Sequence, residues 1–378
     1  MRRTFLSSAA AAFAVCLASA PLVAQVAGAD TAVRGRGTGR VPPPVDTVRA
    51  RQLYVSKDPK DLPGCGGDCG VATKRRSDST WAANAAGKYV MQKITYKSDV
   101  DGLDIPAYVY SPLDRSMRHP ALVWVHGGVH SDWSTELYPF VVEAVLRGYV
   151  VLAPDYRGST GYTNEFFRKI DYGGKEVDDV YSSYGYLKTL PFVDSSRVAL
   201  MGWSHGGFIV AHILFRGKIP FKGGAAIVPV TNLIFRLSDH GPNYAKDYAA
   251  EEGIQGLPFE RNCGALHDHN CIDEYIKRSP VFHAENLQVP MLVHVATNDS
   301  DVFFRENQQM VYTLRALKPD LAETKIYKDP PTGPHGGGHS FSRRVKDLYR
   351  VDSDEQIDSW NRTWAFFARV LGKPSPPK

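Results

Sequence analysis

Residues 197–207 read Arg-Val-Ala-Leu-Met-Gly-Trp-Ser-His-Gly-Gly, and they carry the strongest indication of the fold. The apolar run from Arg197 to Met201 predicts a buried strand, and the spacing from His205 to Phe215 predicts a helix. Between them lies the pattern Gly-x-Ser-x-Gly, centred on Ser204. A strand, this pattern and a helix together indicate a nucleophile elbow, a sharp turn that exposes a serine hydroxyl. The strand before the pattern, the helix after it and a further glycine, Gly207, together make a chance match to this pattern much rarer.

Outward from the elbow, short apolar runs alternate with segments of helical spacing. Further strands are predicted at 89–96, 105–110, 121–125, 149–153, 224–230, 291–295 and 324–327, and further helices at 139–147, 177–190 and 357–371. Continuous apolar strands that alternate with helices are typical of a mostly parallel sheet covered on both faces. We therefore predict an α/β-hydrolase fold over residues 88–372, with a small cap insertion at about 231–286.

A serine nucleophile needs a base, and the base needs an acid that orients it. In this architecture the three follow in the order serine, acid, histidine. Asp299 and Asp301 follow one predicted strand, and His335 and His339 follow the next. Asp299 is nearer the strand end, and a small residue and an aromatic residue follow His339. We predict a triad of Ser204, Asp299 and His339, with Asp301 and His335 as the alternatives.

Acyl transfer also needs donors for the carbonyl oxygen, because this oxygen becomes negative in the transition state. In an elbow one donor is the backbone N–H of the residue after the serine, which here is His205. The segment His126-Gly127-Gly128 ends an earlier strand, where the second donor belongs. We predict the N–H of Gly128, with Gly127 and Val129 as alternatives. The two glycines also suit a tight turn, and both interpretations hold together.

Residues 1–24 have the features of a signal peptide: two arginines at the start, an apolar run and then small residues. We predict cleavage after Ala24 or Ala29 and an exported protein, periplasmic or secreted, by the general secretory or the twin-arginine route. No later stretch holds about 18 uninterrupted apolar residues, so no permanent membrane span is expected. Residues 25–87 lack a periodic pattern and are predicted to be an extension or linker.

Four cysteines would remain after cleavage, and an even number in an exported protein suggests disulfides. The simplest of three pairings joins Cys65 to Cys69 and Cys263 to Cys271. Their spacing differs from that of a zinc ribbon, so no metal site is expected. The formal charge of +5 is too mild to indicate a nucleic-acid partner. The oligomeric state is left open by the sequence.

The chain from about residue 88 to 371 resembles the catalytic domain of the prolyl oligopeptidase family of serine peptidases, its acylaminoacyl peptidase branch most of all. The similar stretches are 126–128, 155–162 (Asp-Tyr-Arg-Gly-Ser-Thr-Gly-Tyr), 174–179 with 186–187, and 278–280 with 289–290. In the family the acid lies three residues before a valine-like position, which selects Asp299 ahead of Val302. The family histidine precedes a small residue and often an aromatic one, which selects His339. This chain departs from the branch at Val129, where proline is usual, and at His205, where tyrosine is commoner.

The resemblance implies an enzyme that hydrolyses peptide or acyl-peptide bonds through an acyl-enzyme intermediate, without a cofactor or metal. Tyr156 and Trp203 are predicted to line its substrate pocket. Family peptidases generally carry a β-propeller, and the roughly 60 mature residues before the hydrolase domain are too few for one. A carboxylesterase that uses the same triad on small esters is therefore the alternative. A non-catalytic binding protein on a hydrolase scaffold is a third hypothesis, because a fold alone does not establish activity.

Overall fold

The computed structural model describes residues 64–236, 239, 269–331 and 337–374, and within them eight strands form one sheet. The strands are β1 (Val90–Lys97), β2 (Asp104–Ser111), β3 (His119–Val125), β4 (Val150–Pro154), β5 (Val193–Trp203), β6 (Gly224–Ile227), β7 (Met291–Ala296) and β8 (Ala322–Tyr327). Their order across the sheet is β1-β2-β4-β3-β5-β6-β7-β8. Strand β2 runs antiparallel to β1 and β4, and the other neighbouring strands are parallel. The sheet is mostly parallel, as predicted.

Helices cover both faces of this sheet. They are α1 (Val71–Ala85), α2 (Tyr138–Leu146), α3 (Asn164–Phe167), α4 (Lys175–Leu187), α5 (His205–Leu214), α6 (His269–Lys277), α7 (Phe304–Leu317) and α8 (Asp354–Leu371). Alternate residues of β3 point to opposite faces. Val123 belongs to the core on the face covered by α4, α5 and α7, and Trp124 belongs to the core on the face covered by α1, α2 and α8. Burial on both faces explains why the central strands are continuously apolar.

Helix α1 lies within the segment 25–87, which the sequence analysis treats as a linker with little core of its own. The structure corrects this view for the residues it describes, because α1 packs against the sheet. Trp81 is fully buried, and its ring lies 4.8 Å from the ring of Tyr110 and 5.0 Å from that of Tyr138. The helix was missed because few of its positions are both apolar and buried, so no apolar stripe marks it in the sequence.

Helix α7 is a second element that the sequence analysis did not predict. Its apolar buried residues, Met310, Val311 and Leu314, occupy less than two turns, and its other buried positions are polar. The predicted cap at 231–286 lies partly outside the described residues. Its described part includes α6 and a 3-10 helix, Pro280–Asn286. The predicted domain boundaries therefore stay predictions.

The structure brings Cys65 and Cys69 together directly before α1, with 5.0 Å between their Cα atoms. Cys263 and the side chain of Cys271 lie outside the described residues, as do the predicted signal peptide and the basic residues after it. Among the helices that the structure describes, none combines the length and the apolarity that crossing a membrane requires.

We expect Trp81→Ala to lower the free energy of unfolding by about 3–5 kcal/mol, because it leaves a large cavity between α1 and the sheet. Urea denaturation of the full chain measures this change. The control is Arg75→Ala, an exposed position on the same helix, where a change within about 0.5 kcal/mol is expected. A loss below about 1 kcal/mol in Trp81→Ala would show that α1 is not part of the cooperative core.

Candidate active site

Ser204 lies in the turn between β5 and α5 with φ 53° and ψ −123°, a conformation that non-glycine residues rarely adopt. Its N–H donates to the carbonyl oxygen of Ile227 at 3.0 Å. Two glycines make room for the turn: a Cβ on Gly202 would overlap the backbone of Gly206, and one on Gly206 would overlap the carbonyl of Val125. The sequence pattern is thus required by the space available, and it produces the predicted elbow.

The loops after β7 and β8 bring Asp299 and His339 together. Nδ1 of His339 lies 3.0 Å and 2.9 Å from the two carboxylate oxygens of Asp299. One of these oxygens also accepts the N–H groups of Asp301 and Val302, both at 2.9 Å. Both side chains of the pair are buried, so the backbone and the imidazole together fix the carboxylate. This is the geometry expected of a base and the acid that orients it.

Asp301, the alternative acid, faces the other nitrogen of the same imidazole. Its Oδ2 lies 3.7 Å from Nε2 of His339, while Arg236 approaches its Oδ1 to 3.3 Å and donates to its backbone oxygen at 3.2 Å. Burial lowers the pKa of His339, but the charges of Asp299 and Asp301 outweigh it, so the pKa is raised. Each ring nitrogen therefore faces one acid. His335, the alternative base, lies outside the described residues.

Trp203, directly before Ser204, connects the elbow to the segment that contains His339. Its indole N–H donates to the hydroxyl of Ser342 at 2.7 Å, three residues after His339. Its ring packs against Trp124 and Trp360 and is 1% exposed. The prediction that Trp203 lines the substrate pocket is therefore wrong, since substrate has no access to the ring.

The segment 126–128 lies against the elbow, and a Cβ on Gly127 would come within 3.2 Å of the Cβ of Ser204. Gly128 has φ +69°, which glycine adopts without strain. The hydroxyl of Tyr156 lies 3.1 Å from the carbonyl oxygen of Gly128, and its ring stacks on His126 at 4.2 Å. Tyr156 is fully buried, so it supports this loop and does not line the pocket as predicted.

Arg157 fixes the neighbouring segment by pairing with two acids. Its Nε and Nη2 bind the two carboxylate oxygens of Asp179 at 2.8 Å and 2.7 Å. Its Nη1 and Nη2 bind Asp101 at 2.9 Å and 3.0 Å. The planar guanidinium suits two such bidentate pairs. Arg157 lies in the family-like stretch 155–162, but no role could be predicted for it, because its partners are distant in sequence.

The side chain of His205 is buried, while its backbone N–H lies at the start of α5. The imidazole is 2% exposed, and neither ring nitrogen has a hydrogen-bond partner among the described residues. The ring packs against Tyr172 at 4.6 Å and Phe208 at 5.1 Å. Its Nε2 lies 3.7 Å from Oε1 of Glu176. Burial lowers the pKa of His205 well below its ordinary value, so the ring stays neutral.

Glu176 is fully buried beside this ring. Its two oxygens accept the N–H groups of Gly173 at 2.5 Å and Gly174 at 3.2 Å. Burial, supported by the charge of Asp171, raises the pKa of Glu176 to about 8. At neutral pH, Glu176 and His205 therefore form an uncharged contact and not an ion pair.

The raised pKa of Glu176 should be detectable in the pH dependence of the free energy of unfolding, by comparison of wild type with a variant that lacks this carboxyl group. Unfolding lowers the pKa of Glu176 from about 8 to 4.5, so wild-type stability falls as pH rises between these values. Glu176→Gln lacks this titration, and its stability relative to wild type should rise over that window by roughly 3 kcal/mol. Urea denaturation at pH 5, 6.5 and 8 measures the difference. Exposed Glu165→Gln is the control, and an equally flat profile for Glu176→Gln would contradict the assignment.

No group of three histidine, cysteine, aspartate or glutamate side chains that would hold a metal occurs within the described ranges. The site just described consists of a serine, a histidine, acids and backbone N–H groups, which is a set suited to acyl transfer.

A sequence profile of the prolyl oligopeptidase family matches residues 133–373. Human acylamino-acid-releasing enzyme is 31% identical over 269 residues, which cover 69% of this chain and 34% of that protein. The uncharacterized peptidase YuxL of Bacillus subtilis is 27% identical over 277 residues, 72% of this chain and 38% of its own length. The chain thus spans about a third of the length of these curated relatives.

Solved structures of similar fold include Pyrococcus horikoshii acylaminoacyl peptidase, with a TM-score of 0.59 and 20% identity over 79% of this chain and 44% of that one. A puromycin hydrolase has a TM-score of 0.59 and 22% identity over 75% of this chain and 40% of its own. These similarities confirm the predicted α/β-hydrolase fold. Because the family profile covers more than half of the sequence, the chain belongs to the prolyl oligopeptidase family of serine peptidases.

Proposed function

We propose that this protein hydrolyses peptide or acyl-peptide bonds with Ser204 as nucleophile, His339 as general base and Asp299 as the acid that orients the imidazole. The observation that carries the proposal is the pairing of buried Asp299 with Nδ1 of His339. Asp299 follows β7 and His339 follows β8, and in the sheet these two strands come after β5 and β6. Ser204 ends β5 in the conformation of an elbow. In a parallel sheet the carboxyl ends of such strands share one edge, which supports a common site.

The reaction follows from the positions of these groups. The hydroxyl oxygen of Ser204 attacks the scissile carbonyl carbon, and its proton passes to Nε2 of His339. Asp299 stabilises the imidazolium from Nδ1. The amine leaves with the proton from Nε2, and a water molecule then repeats the sequence on the acyl-enzyme to release the acid.

The negative oxygen of each tetrahedral intermediate would be received by two backbone N–H groups. The N–H of His205 lies at the amino terminus of α5, where the helix dipole also favours negative charge. The N–H of Gly128 belongs to the loop that lies against Ser204 through Gly127. Neither donor depends on an ionisable side chain, so their strength should not change with pH.

The substrate class is proposed from the relatives. One is called an acylamino-acid-releasing enzyme, and a structural neighbour is called a puromycin hydrolase. From the first of these names we propose that the substrate of this chain is an acylated amino acid or a short acyl-peptide. An ester of the same acyl group would react through the same residues, since an ester has a better leaving group than an amide.

Turnover of a matched pair tests the proposal: an acetyl-amino-acid p-nitroanilide and the p-nitrophenyl ester of the same acyl group. We expect hydrolysis of both, with kcat lowered about 10⁴-fold or more in Ser204→Ala. Ser196→Ala, at an exposed position of the same strand, is the control and should retain wild-type rates. Ester hydrolysis alone would assign the protein to the carboxylesterases. No turnover and no labelling by a fluorophosphonate would favour a non-catalytic scaffold.

The roles of the two acids separate in their asparagine variants. Asp299→Asn should lower kcat by about 10³–10⁴-fold, because the imidazole loses its orienting partner. Asp301→Asn should keep most of the activity, yet removal of its charge lowers the pKa of His339. Since catalysis needs the neutral imidazole, the acid limb of kcat/KM should move to lower pH by about 0.5–1 unit. The opposite pattern would make Asp301 the orienting acid.

We also propose that the protein is exported after removal of a signal peptide at residues 1–24, on the strength of their charge and apolar pattern. Export would favour disulfides between Cys65 and Cys69 and between Cys263 and Cys271. The 5.0 Å separation of the first pair's Cα atoms is within the range that a disulfide spans.

A further inference from the structure

Lys74 of α1 is a lysine with almost no exposure, 1% in all. Its Nζ lies 2.6 Å from Oδ2 of Asp155, donates to the carbonyl oxygen of Trp133 at 2.9 Å and stands 4.7 Å above the ring of Tyr108. A second carboxylate, that of Asp132, lies 3.8 Å away. Buried ion pairs contribute little stability compared with apolar packing. Burial of this one therefore suggests a role in geometry.

Asp155, the closest partner of Lys74, contacts both ends of the oxyanion loop, residues 126–133. Its Oδ1 accepts the N–H of Trp133 at 2.6 Å and lies 3.7 Å from Nε2 of His126. Burial lowers the pKa of His126 to about 4, so this ring is neutral and does not compensate the carboxylate. The charge of Asp155 is therefore balanced by Lys74, which also binds the end of the loop directly.

A chain of backbone hydrogen bonds leads from the start of α1 to the same loop. The carbonyl oxygen of Cys69 accepts the N–H of Gly161 at 2.7 Å. The adjacent N–H of Thr160 donates to the carbonyl oxygen of Ser131 at 3.0 Å, and the N–H of Ser131 donates to that of Gly128 at 3.1 Å. The amino-terminal segment therefore supports the loop at its middle as well as at its end.

We propose that Lys74 is a positioning residue that holds the oxyanion loop so that the N–H of Gly128 meets the transition state, an inference that rests on the proposed function. Without Lys74, the buried carboxylate of Asp155 would keep hydrogen bonds from Trp133 and Tyr162 but would have no charged partner, which favours binding of a proton or entry of water. Either change alters its hydrogen bond to Trp133 and releases the end of the loop. A displaced oxyanion donor weakens binding of the transition state more than binding of the substrate.

The test is Lys74→Met in the full chain, compared with Arg75→Met, its exposed neighbour on α1. Fluorophosphonate titration counts active sites, so kcat is expressed per competent site. A trifluoromethyl ketone analogue of the substrate then reports on the loop, because its adduct with Ser204 places a negative oxygen at the oxyanion position. We expect Lys74→Met to lower kcat about 10–100-fold and to leave KM within about threefold of the wild-type value. The affinity for the ketone should fall by the same factor as kcat. Arg75→Met should match wild type.

A purely structural role gives a different result. In that case Lys74→Met would be less stable and would have fewer titratable sites. Its kcat per site and its affinity for the ketone would equal those of wild type. Wild-type values of these two quantities would overturn the proposal. If Lys74→Met does not fold, Lys74→Gln is judged by the same two measurements, since its amide keeps one N–H for Trp133 but has no charge. A wild-type protein without turnover or labelling would instead refute the proposed function.

Discussion

The strained backbone of Ser204 determines how the elements around it must pack. Its conformation costs on the order of 1–3 kcal/mol and persists only where surrounding structure enforces it. Here β5 lies between β3 and β6 in the centre of the sheet, and α5 is buried along nearly its whole length. The close approach of Gly206 to the end of β3 joins the turn to the strand that leads into residues 126–128. Ser204 and the segment 126–128 are therefore placed by one packing arrangement.

Charges buried around this arrangement are neutralised in two different ways. Arg157 and Lys74 are paired with carboxylates, and these pairs join segments that are far apart in sequence. Glu176 keeps its proton because burial and the charge of Asp171 outweigh the charge of Arg278, which pairs with Asp171. The protonated acid lies beside the neutral ring of His205. Paired charges fix geometry because a partner that moves leaves an uncompensated charge behind. A protonated acid imposes less constraint on its neighbour, which here is the ring of His205 at the start of α5.

The fold and the predicted triad could be read from the sequence because both follow from short patterns. Apolar runs mark strands that are buried on both faces, and the order of residues at the strand ends suggests the roles of Ser204 and Asp299. The sequence analysis placed the aromatic side chains in the wrong direction, although the alternation of side chains along a strand could have given the direction of Trp203. Trp203 lies two residues after Met201 and therefore shares its face, which packs on α2 and α8. The support of the loop by Tyr156 needed the tertiary structure.

Helix α1 shows why a family pattern describes the chemistry better than it describes the whole site. The family profile begins at residue 133, so it includes Asp155 but not Lys74. The buried pair therefore joins a residue inside the profile to one outside it, across a helix whose sequence has no apolar stripe. A carboxylate inside the matched region would be an unpaired buried charge if that region were taken alone. The catalytic segment and the helix before it consequently form one electrostatic unit, even though only the first of them is recognisable from its sequence.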